Sequence, residues 1–299
     1  LLASLDLLSK SNLPYICSIA MTPLFQKKIA DEYDKYKYCF RICLNSPYLA
    51  MYMTEVMRFI GKQFGFSKAY IIVQDTLWAQ ATGKGLDKWC KENGWEVASF
   101  DAYALGSSDF SPSLIKVRAQ KAQVIVTFFD MPQSGILLKQ SRAMQIPALL
   151  AGFISPVAPE NAWKVFEGEV DGMVNFMFEI GPIPVRAVPK SGTFHENFGK
   201  KWGQDARMNL SGHGPGPSYD SVYMFANAIE RAKTVEPDAV VKALEQTDMT
   251  GAIGRIKFSK DHQVVYGVDP KETALGCAFQ WKKPGTRVVV FPEVVAEGK

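Results

Sequence analysis

Histidine, cysteine, basic clusters and long apolar runs are all scarce in this 299-residue sequence, and each scarcity narrows its chemistry. No apolar stretch approaches the ~20 residues that a membrane-crossing helix needs. No run of Lys and Arg points to nucleic acid, and the formal net charge is +4. One string, Lys35-Tyr36-Lys37-Tyr38, mixes base and aromatic, but it is short and lies beside Asp31, Glu32 and Asp34, so it reads as a solvated helix end. The three histidines, His195, His213 and His262, have no metal-ligand spacing. The five cysteines, Cys17, Cys39, Cys43, Cys90 and Cys277, are odd in number and match neither a zinc nor a CxxC pattern. They are expected as buried small hydrophobes, and they do not settle the compartment.

Cofactor and catalytic motifs are missing as well. The nearest string to a phosphate loop, Thr82-Gly83-Lys84-Gly85, falls inside an expected helix and fits neither GxGxxG nor the phosphate-loop pattern. GxSxG does not occur. Ser211-Gly212-His213-Gly214 sets a serine near a histidine, but both ride one Gly-rich loop with no third group to orient a base. No catalytic residues, metal site or cofactor are therefore expected, and enzyme activity is not.

What is present is an ordinary globular composition, 47% hydrophobic and 21% charged, sufficient for a large core and two lobes. From Ser67 to Ala151 one unit recurs: a buried apolar run, a polar or aromatic tip, then an amphipathic helix. The runs are residues 69–73, 124–129 and 148–151, with the more amphipathic 95–100 between the first two. The tips read Asp75-Thr76-Leu77-Trp78, Phe129-Asp130-Met131-Pro132 and Gly152-Phe153-Ile154-Ser155. Strands alternating with helices at this spacing predict a parallel α/β sheet, and such sheets bind ligands at the carboxyl ends of their strands.

The remaining elements are read from the same signals. The opening Leu1-Leu2-Ala3-Ser4-Leu5-Asp6-Leu7-Leu8 resembles a helix in progress, and the sequence is expected to be a fragment beginning inside a domain. A strand over 14–17 leads to the tip Ser18-Ile19-Ala20-Met21-Thr22-Pro23, and a second strand covers 38–43. Asn45-Ser46-Pro47 starts a helix running to about 64. Helices are expected over 78–93, 111–121, 132–144, 189–204, 218–233 and 237–247, and further strands over 173–178, 251–258, 274–281 and 287–291. Gly181-Pro182-Ile183-Pro184 reads as a crossover between lobes, and residues 211–218 form a Gly- and Pro-rich loop ahead of Tyr219-Asp220.

Several tip residues allow two readings. The 18–22 tip offers hydroxyls and backbone N–H groups that could hold an anion, or it is an ordinary capped turn. Trp78 could stack on a ligand or start a helix as a core residue. Phe129 and Phe153 are more often core than pocket; Asp130 is either solvated or faces a ligand. Asp220 near a helix start is commonly only a dipole partner.

The order of segments resembles type I periplasmic binding proteins, in the leucine/isoleucine/valine-binding branch of ABC-transporter receptors. The likeness is carried by Leu13-Pro14-Tyr15-Ile16-Cys17-Ser18, Ala69-Tyr70-Ile71-Ile72-Val73-Gln74-Asp75-Thr76-Leu77-Trp78 and Ser108-Asp109-Phe110-Ser111. It continues in Pro217-Ser218-Tyr219-Asp220-Ser221-Val222, Ala228-Ile229-Glu230-Arg231-Ala232 and Gly251-Ala252-Ile253-Gly254-Arg255-Ile256-Lys257-Phe258. The resemblance implies a two-lobe α/β (Venus-flytrap) fold, each lobe a parallel sheet flanked by helices. Lobe one would hold 1–44 and 178–278, without its usual first strands, and lobe two 45–177 and 279–299. It implies a small carboxylate-type ligand (a branched-chain or other amino acid, or an aromatic or aliphatic acid) held between lobes, membrane permease subunits as partners, a periplasmic or extracellular location with a lipid anchor as one option, and no nucleic acid. A ligand-sensing domain of a signalling or amide-responsive regulator is the other reading on this fold.

Carried over by position, Ser18, Ala20, Met21 and Thr22 match the family loop that holds the ligand's carboxylate. Trp78 matches an aromatic contact, and Phe129, Asp130 and Met131 the next contact of lobe two. Tyr219 completes the set from the Gly-Pro loop. Phe153 falls where amino-acid binders keep an acidic residue for the ligand's ammonium group. A phenyl ring cannot neutralise an ammonium ion, so either Asp130 takes that role or the ligand has no amino group.

Overall fold

The computed structural model describes residues 1–296 and divides the chain into two compact units. Unit 1 comprises Leu1–Asn45, Phe178–Arg207 and His213–Gly276; unit 2 comprises Ser46–Met177, Met208–Gly212 and the chain from Cys277 onward. Residues 1–45 carry α1 (Leu2–Leu8), β1 (Tyr15–Cys17), α2 (Leu24–Asp31), α3 (Tyr33–Tyr36) and β2 (Cys39–Arg41). Next come α4 (Ser46–Phe64), β3 (Lys68–Gln74), α5 (Leu77–Glu92), β4 (Glu96–Tyr103), α6 (Ser111–Ala119) and β5 (Val124–Phe129). They are followed by α7 (Gly135–Ala143), β6 (Leu149–Ile154), α8 (Ala162–Val165) and β7 (Val174–Met177). The chain continues through α9 (Pro189–Trp202), α10 (Gln204–Met208), α11 (Pro215–Ala232), α12 (Pro237–Glu245), β8 (Asp248–Gly251) and β9 (Gly254–Lys257), and ends with β10 (Cys277–Lys282) and β11 (Thr286–Phe291).

Unit 2 is built on a seven-stranded sheet in the order β11-β10-β7-β6-β5-β3-β4. β4, β3, β5, β6 and β7 run parallel; β10 is antiparallel to both β7 and β11. The apolar runs of β3 and β5 are buried along their length because helices cover a parallel sheet on both faces. β4 is the half-buried edge, which is why its sequence is amphipathic. Thr82-Gly83-Lys84-Gly85 lies within α5, where Gly83 faces the sheet: a Cβ there would be 2.8 Å from the Phe100 ring and 3.0 Å from Val73. That glycine serves helix-on-sheet packing. The expected helix over 132–144 opens instead with a 3₁₀ turn, Pro132–Ser134, ahead of α7.

In unit 1, β1 and β2 pair in parallel, and a bridge from Arg41 to Gln263 extends the pairing. Leu5, Phe25, Ile29, Tyr36 and Cys39 form an apolar cluster within unit 1. The segment 251–258, expected as one strand, is instead the second half of a hairpin: β8 and β9 pair antiparallel with Gly251 opposite Gly254. The chain reverses at Ala252-Ile253, and Gly254 takes φ +105°, open to glycine at no steric cost. The expected strand at 274–281 begins only at Cys277.

Asp220, on α11, pins that reversal. Its buried carboxylate accepts the N–H groups of Ala252 and Ile253, both at 2.9 Å. Burial raises its pKa to about 6, outweighing the opposing pull of those two donors. Folding therefore takes up a proton between about pH 4 and 6, and this carboxylate's contribution falls as pH rises through that window, by about 3 kcal/mol in all. Asp220→Asn should remove that slope. It should also leave one of the two N–H groups facing an amide NH2, which cannot accept it, at a cost of ~1–3 kcal/mol. Urea unfolding of both proteins from pH 4 to 8 checks this; parallel pH profiles would contradict it.

Candidate functional site

The 18–22 tip of unit 1 leaves β1 and is held from behind by Arg41 and His213. Arg41 is fully buried on β2, directly across from Cys17. Its guanidinium donates to the carbonyls of Ala20 at 3.3 Å and Thr22 at 2.7 Å, and to the side chains of Gln26 and Gln263. It also lies 4.7 Å from the Phe25 ring centre. His213 donates through Nε2 to the carbonyl of Ile19. The tip's carbonyls are thus turned toward Arg41 and His213. The Thr22 hydroxyl is occupied as well, accepting the Leu24 N–H at 3.3 Å as a helix-start bond, and Met21 is buried. The capped-turn reading therefore describes Thr22. The Ser18 hydroxyl accepts from Ser218 at 3.1 Å, which ties the tip to α11.

Behind the same tip, the thiols of Cys17 and Cys43 approach the Ala20 carbonyl at 3.8 and 3.7 Å. The Cys17 pKa is lowered to about 6, first by the Cys43 side chain and further by nearby N–H groups and Arg41. Burial raises Cys43 well above the ordinary thiol range. All five cysteines are buried and none is in a disulfide. On α11, Tyr219 is half-buried between the rings of Phe194 and Tyr223, each centred 5.0 Å away. Its phenol is raised to about 12, chiefly by the Tyr223 hydroxyl.

In unit 2, β3, β5 and β6 are neighbours, so their tips lie side by side. Two amide side chains hold them. Gln74, at the end of β3, accepts the Asp130 N–H at 3.0 Å, and Asn175 on β7 accepts the Ile154 N–H at 2.9 Å. Trp78 stands half-exposed in the first turn of α5, and Asp130 is exposed just beyond β5. Met131 is buried, and its sulfur accepts the Gly106 N–H at 3.4 Å. Phe129 is fully buried, edge-on to Phe110 with ring centres 5.5 Å apart, so it is core. Phe153 lies inside β6, 1% exposed, and its ring closes on Gly212, where a Cβ would be 3.2 Å away. Asp130 is the acid of the β5 tip, one strand over.

A family profile described as "Periplasmic binding protein" matches residues 1–269. The chain belongs to the periplasmic binding protein family. Among curated relatives of this periplasmic binding protein is the leucine-, isoleucine-, valine-, threonine- and alanine-binding protein of Pseudomonas aeruginosa, 23% identical over 78% of the chain. The chain spans 58% of that relative's length. Among solved structures, a putative branched-chain amino acid ABC transporter protein from Silicibacter pomeroyi has a TM-score of 0.84 at 16% identity, covering 99% of this chain and 77% of that one. A solute-binding protein of R. palustris, solved with benzoate, has a TM-score of 0.75 at 14% identity, covering 97% and 73%. The leucine-binding protein of Thermotoga maritima has a TM-score of 0.75 at 17% identity, covering 96% and 75%. The type I periplasmic-binding fold is shared with all three.

The sequence reading of this periplasmic binding protein missed the residues that hold its tips, Arg41, Gln74, Asn175 and His213, and with them Glu179, whose carboxyl accepts from His213 Nδ1 at 3.0 Å. A signal existed for two of them. A charge inside an apolar run must find partners or destabilise the core, and both Phe40-Arg41-Ile42 and Phe178-Glu179-Ile180 fit that description.

Proposed function

We propose that this chain is the solute-binding receptor of an ABC importer, working outside the cytoplasmic membrane and delivering a small carboxylate to permease subunits. The ligand is an aromatic or aliphatic acid without an ammonium group. One observation carries this reading: Phe153, a buried apolar ring near the carboxyl end of β6, at the position that the resemblance assigns to the acid of amino-acid binders. An ammonium ion left against that ring would be desolvated without a partner, at a cost of several kcal/mol. Trp78 offers an aromatic face, and Asp130 a carboxylate for a ligand hydroxyl or amide. From unit 1, Ser18, Ala20 and Tyr219 are the candidate ligand contacts, while Met21, Thr22, Phe129 and Met131 support the tips from within. The benzoate complex of the R. palustris relative is consistent with an aromatic acid on this fold.

Binding without chemistry is the expected activity. A thermal-shift panel of benzoate, phenylacetate, short aliphatic acids, leucine and valine tests it. Ligand at a hundred times its Kd adds about 2.7 kcal/mol and a shift of several degrees. At least one acid lacking an amino group should raise Tm and be recovered unchanged by mass spectrometry. A shift with leucine or valine alone would overturn the ligand class, and conversion of the bound acid would overturn the receptor role.

A further inference from the structure

Glu179 lies just past β7, 1% exposed by its side chain, and gathers three stretches of unit 1. Its carboxylate accepts the N–H of Leu44 at 2.9 Å, the N–H of Gly214 at 3.2 Å, and His213 Nδ1 at 3.0 Å. Each of these stretches adjoins a point where the chain passes from one unit to the other: after Asn45, before Phe178 and before His213. Both carboxyl oxygens of Glu179 are acceptors, Oε1 for the Leu44 N–H and Oε2 for the Gly214 N–H, so the ring nitrogen facing them donates. The other ring nitrogen of His213 faces the carbonyl of Ile19, which can only accept. Both ring nitrogens therefore act as donors, and the ring in this arrangement is an imidazolium. The ring edge of Phe178, with centroids 5.0 Å apart, packs on it. Glu179 is a carboxylate on the ring and the tip presents a carbonyl; of the thiols behind the tip, Cys43 is kept neutral by burial and Cys17, bonded to the Ile19 N–H, is lowered to about 6.

We infer that His213 is a positioning residue whose protonated ring, anchored by Glu179, fixes the 18–22 tip through the Ile19 carbonyl, so that the tip is held while His213 is charged and released as pH rises and the ring loses a proton. The neutral ring keeps one N–H, and one of two contacts must break. Glu179, the stronger acceptor, retains the hydrogen, and Ile19 is let go. Its consequence for ligand affinity rests on the receptor reading above. The device itself does not, because it is read out without ligand.

The test follows the ring nitrogens of His213 and the carbonyl ¹³C of Ile19 by NMR from pH 5 to 10 in the full chain. The expected result is a His213 ring doubly protonated at pH 7 and an Ile19 carbonyl resonance that titrates with the same midpoint. Glu179→Gln should move that midpoint down by about one pH unit or more, the loss of a charge-assisted bond. His213→Gln, which retains a donor near the Nε2 position, should abolish the Ile19 titration while keeping the low-pH shift; His213→Asn should hold Ile19 at the released shift at every pH. A neutral His213 at pH 7, or an Ile19 carbonyl that ignores its titration, overturns the inference. The wild-type titration decides alone if a variant fails to fold.

Discussion

Gly152→Ala should yield no soluble folded protein. Gly152 sits mid-strand in β6 at φ +123°, paired with Thr127 of β5. An added Cβ would lie 2.2 Å from the Thr127 carbonyl oxygen and 2.8 Å from its nitrogen. Those atoms are backbone of a central strand, bonded on both sides, so they cannot move aside without breaking the ladder. The left-handed φ adds ~1–2 kcal/mol to the steric clash. Together these place the variant beyond the ~4–5 kcal/mol that marks exceptional single substitutions. Gly172→Ala is the control. It too has a positive φ, +78°, but a Cβ there meets nothing within 4 Å, so only the backbone term remains. Soluble yield and urea unfolding compare the two. A Gly152→Ala protein that unfolds within 1 kcal/mol of wild type, a margin set by ordinary surface changes, would contradict the β5–β6 register.

Arg41→Met should be the most destabilising change among the residues behind the 18–22 tip. Burial lowers the pKa of Arg41, but guanidinium stays charged at any pH a folded protein survives. The side chain is fully buried and its hydrogen-bond partners are neutral: two carbonyls and two glutamine side chains. Methionine matches much of its volume against Phe25 but donates nothing, leaving the Thr22 and Ala20 carbonyls unsatisfied. Each orphaned buried acceptor costs ~1–3 kcal/mol, and a total of ~3–5 kcal/mol is expected. Arg41→Lys should recover only part of this, since one ammonium cannot span the four acceptors that a planar fork reaches. Urea unfolding gives the ranking. Amide shifts of residues 20–24 should move in both variants, and a Met variant of wild-type stability would show that the cation does not hold the tip.

Much of unit 2 was legible in the sequence because its signals are local. Each strand is a short apolar run, each helix carries a stop such as Asn93-Gly94, and the half-buried edge β4 announced itself by amphipathicity. The hairpin at 251–254 was not legible, because Gly251-Ala252-Ile253-Gly254 is apolar enough to pass as strand and its reversal depends on Asp220, remote in sequence. The same limit explains the site. Trp78, Asp130 and Phe153 could be named as tips from β-run spacing alone. That Phe129 turns into the core against Phe110, and that Thr22 serves Leu24, depends on packing. The supports of the tips act across 19 to 194 positions of sequence, as in Arg41 with Thr22 and His213 with Ile19, so no local pattern encodes them.

The proposal that the ligand carries no ammonium group is the centre of the account, and calorimetric titration of the full chain with benzoate and with L-leucine, at one pH and salt concentration, tests it most directly. The expected result is saturable heat with benzoate or a close aromatic or aliphatic acid, and none with leucine. Tight leucine binding with the acids silent would contradict it.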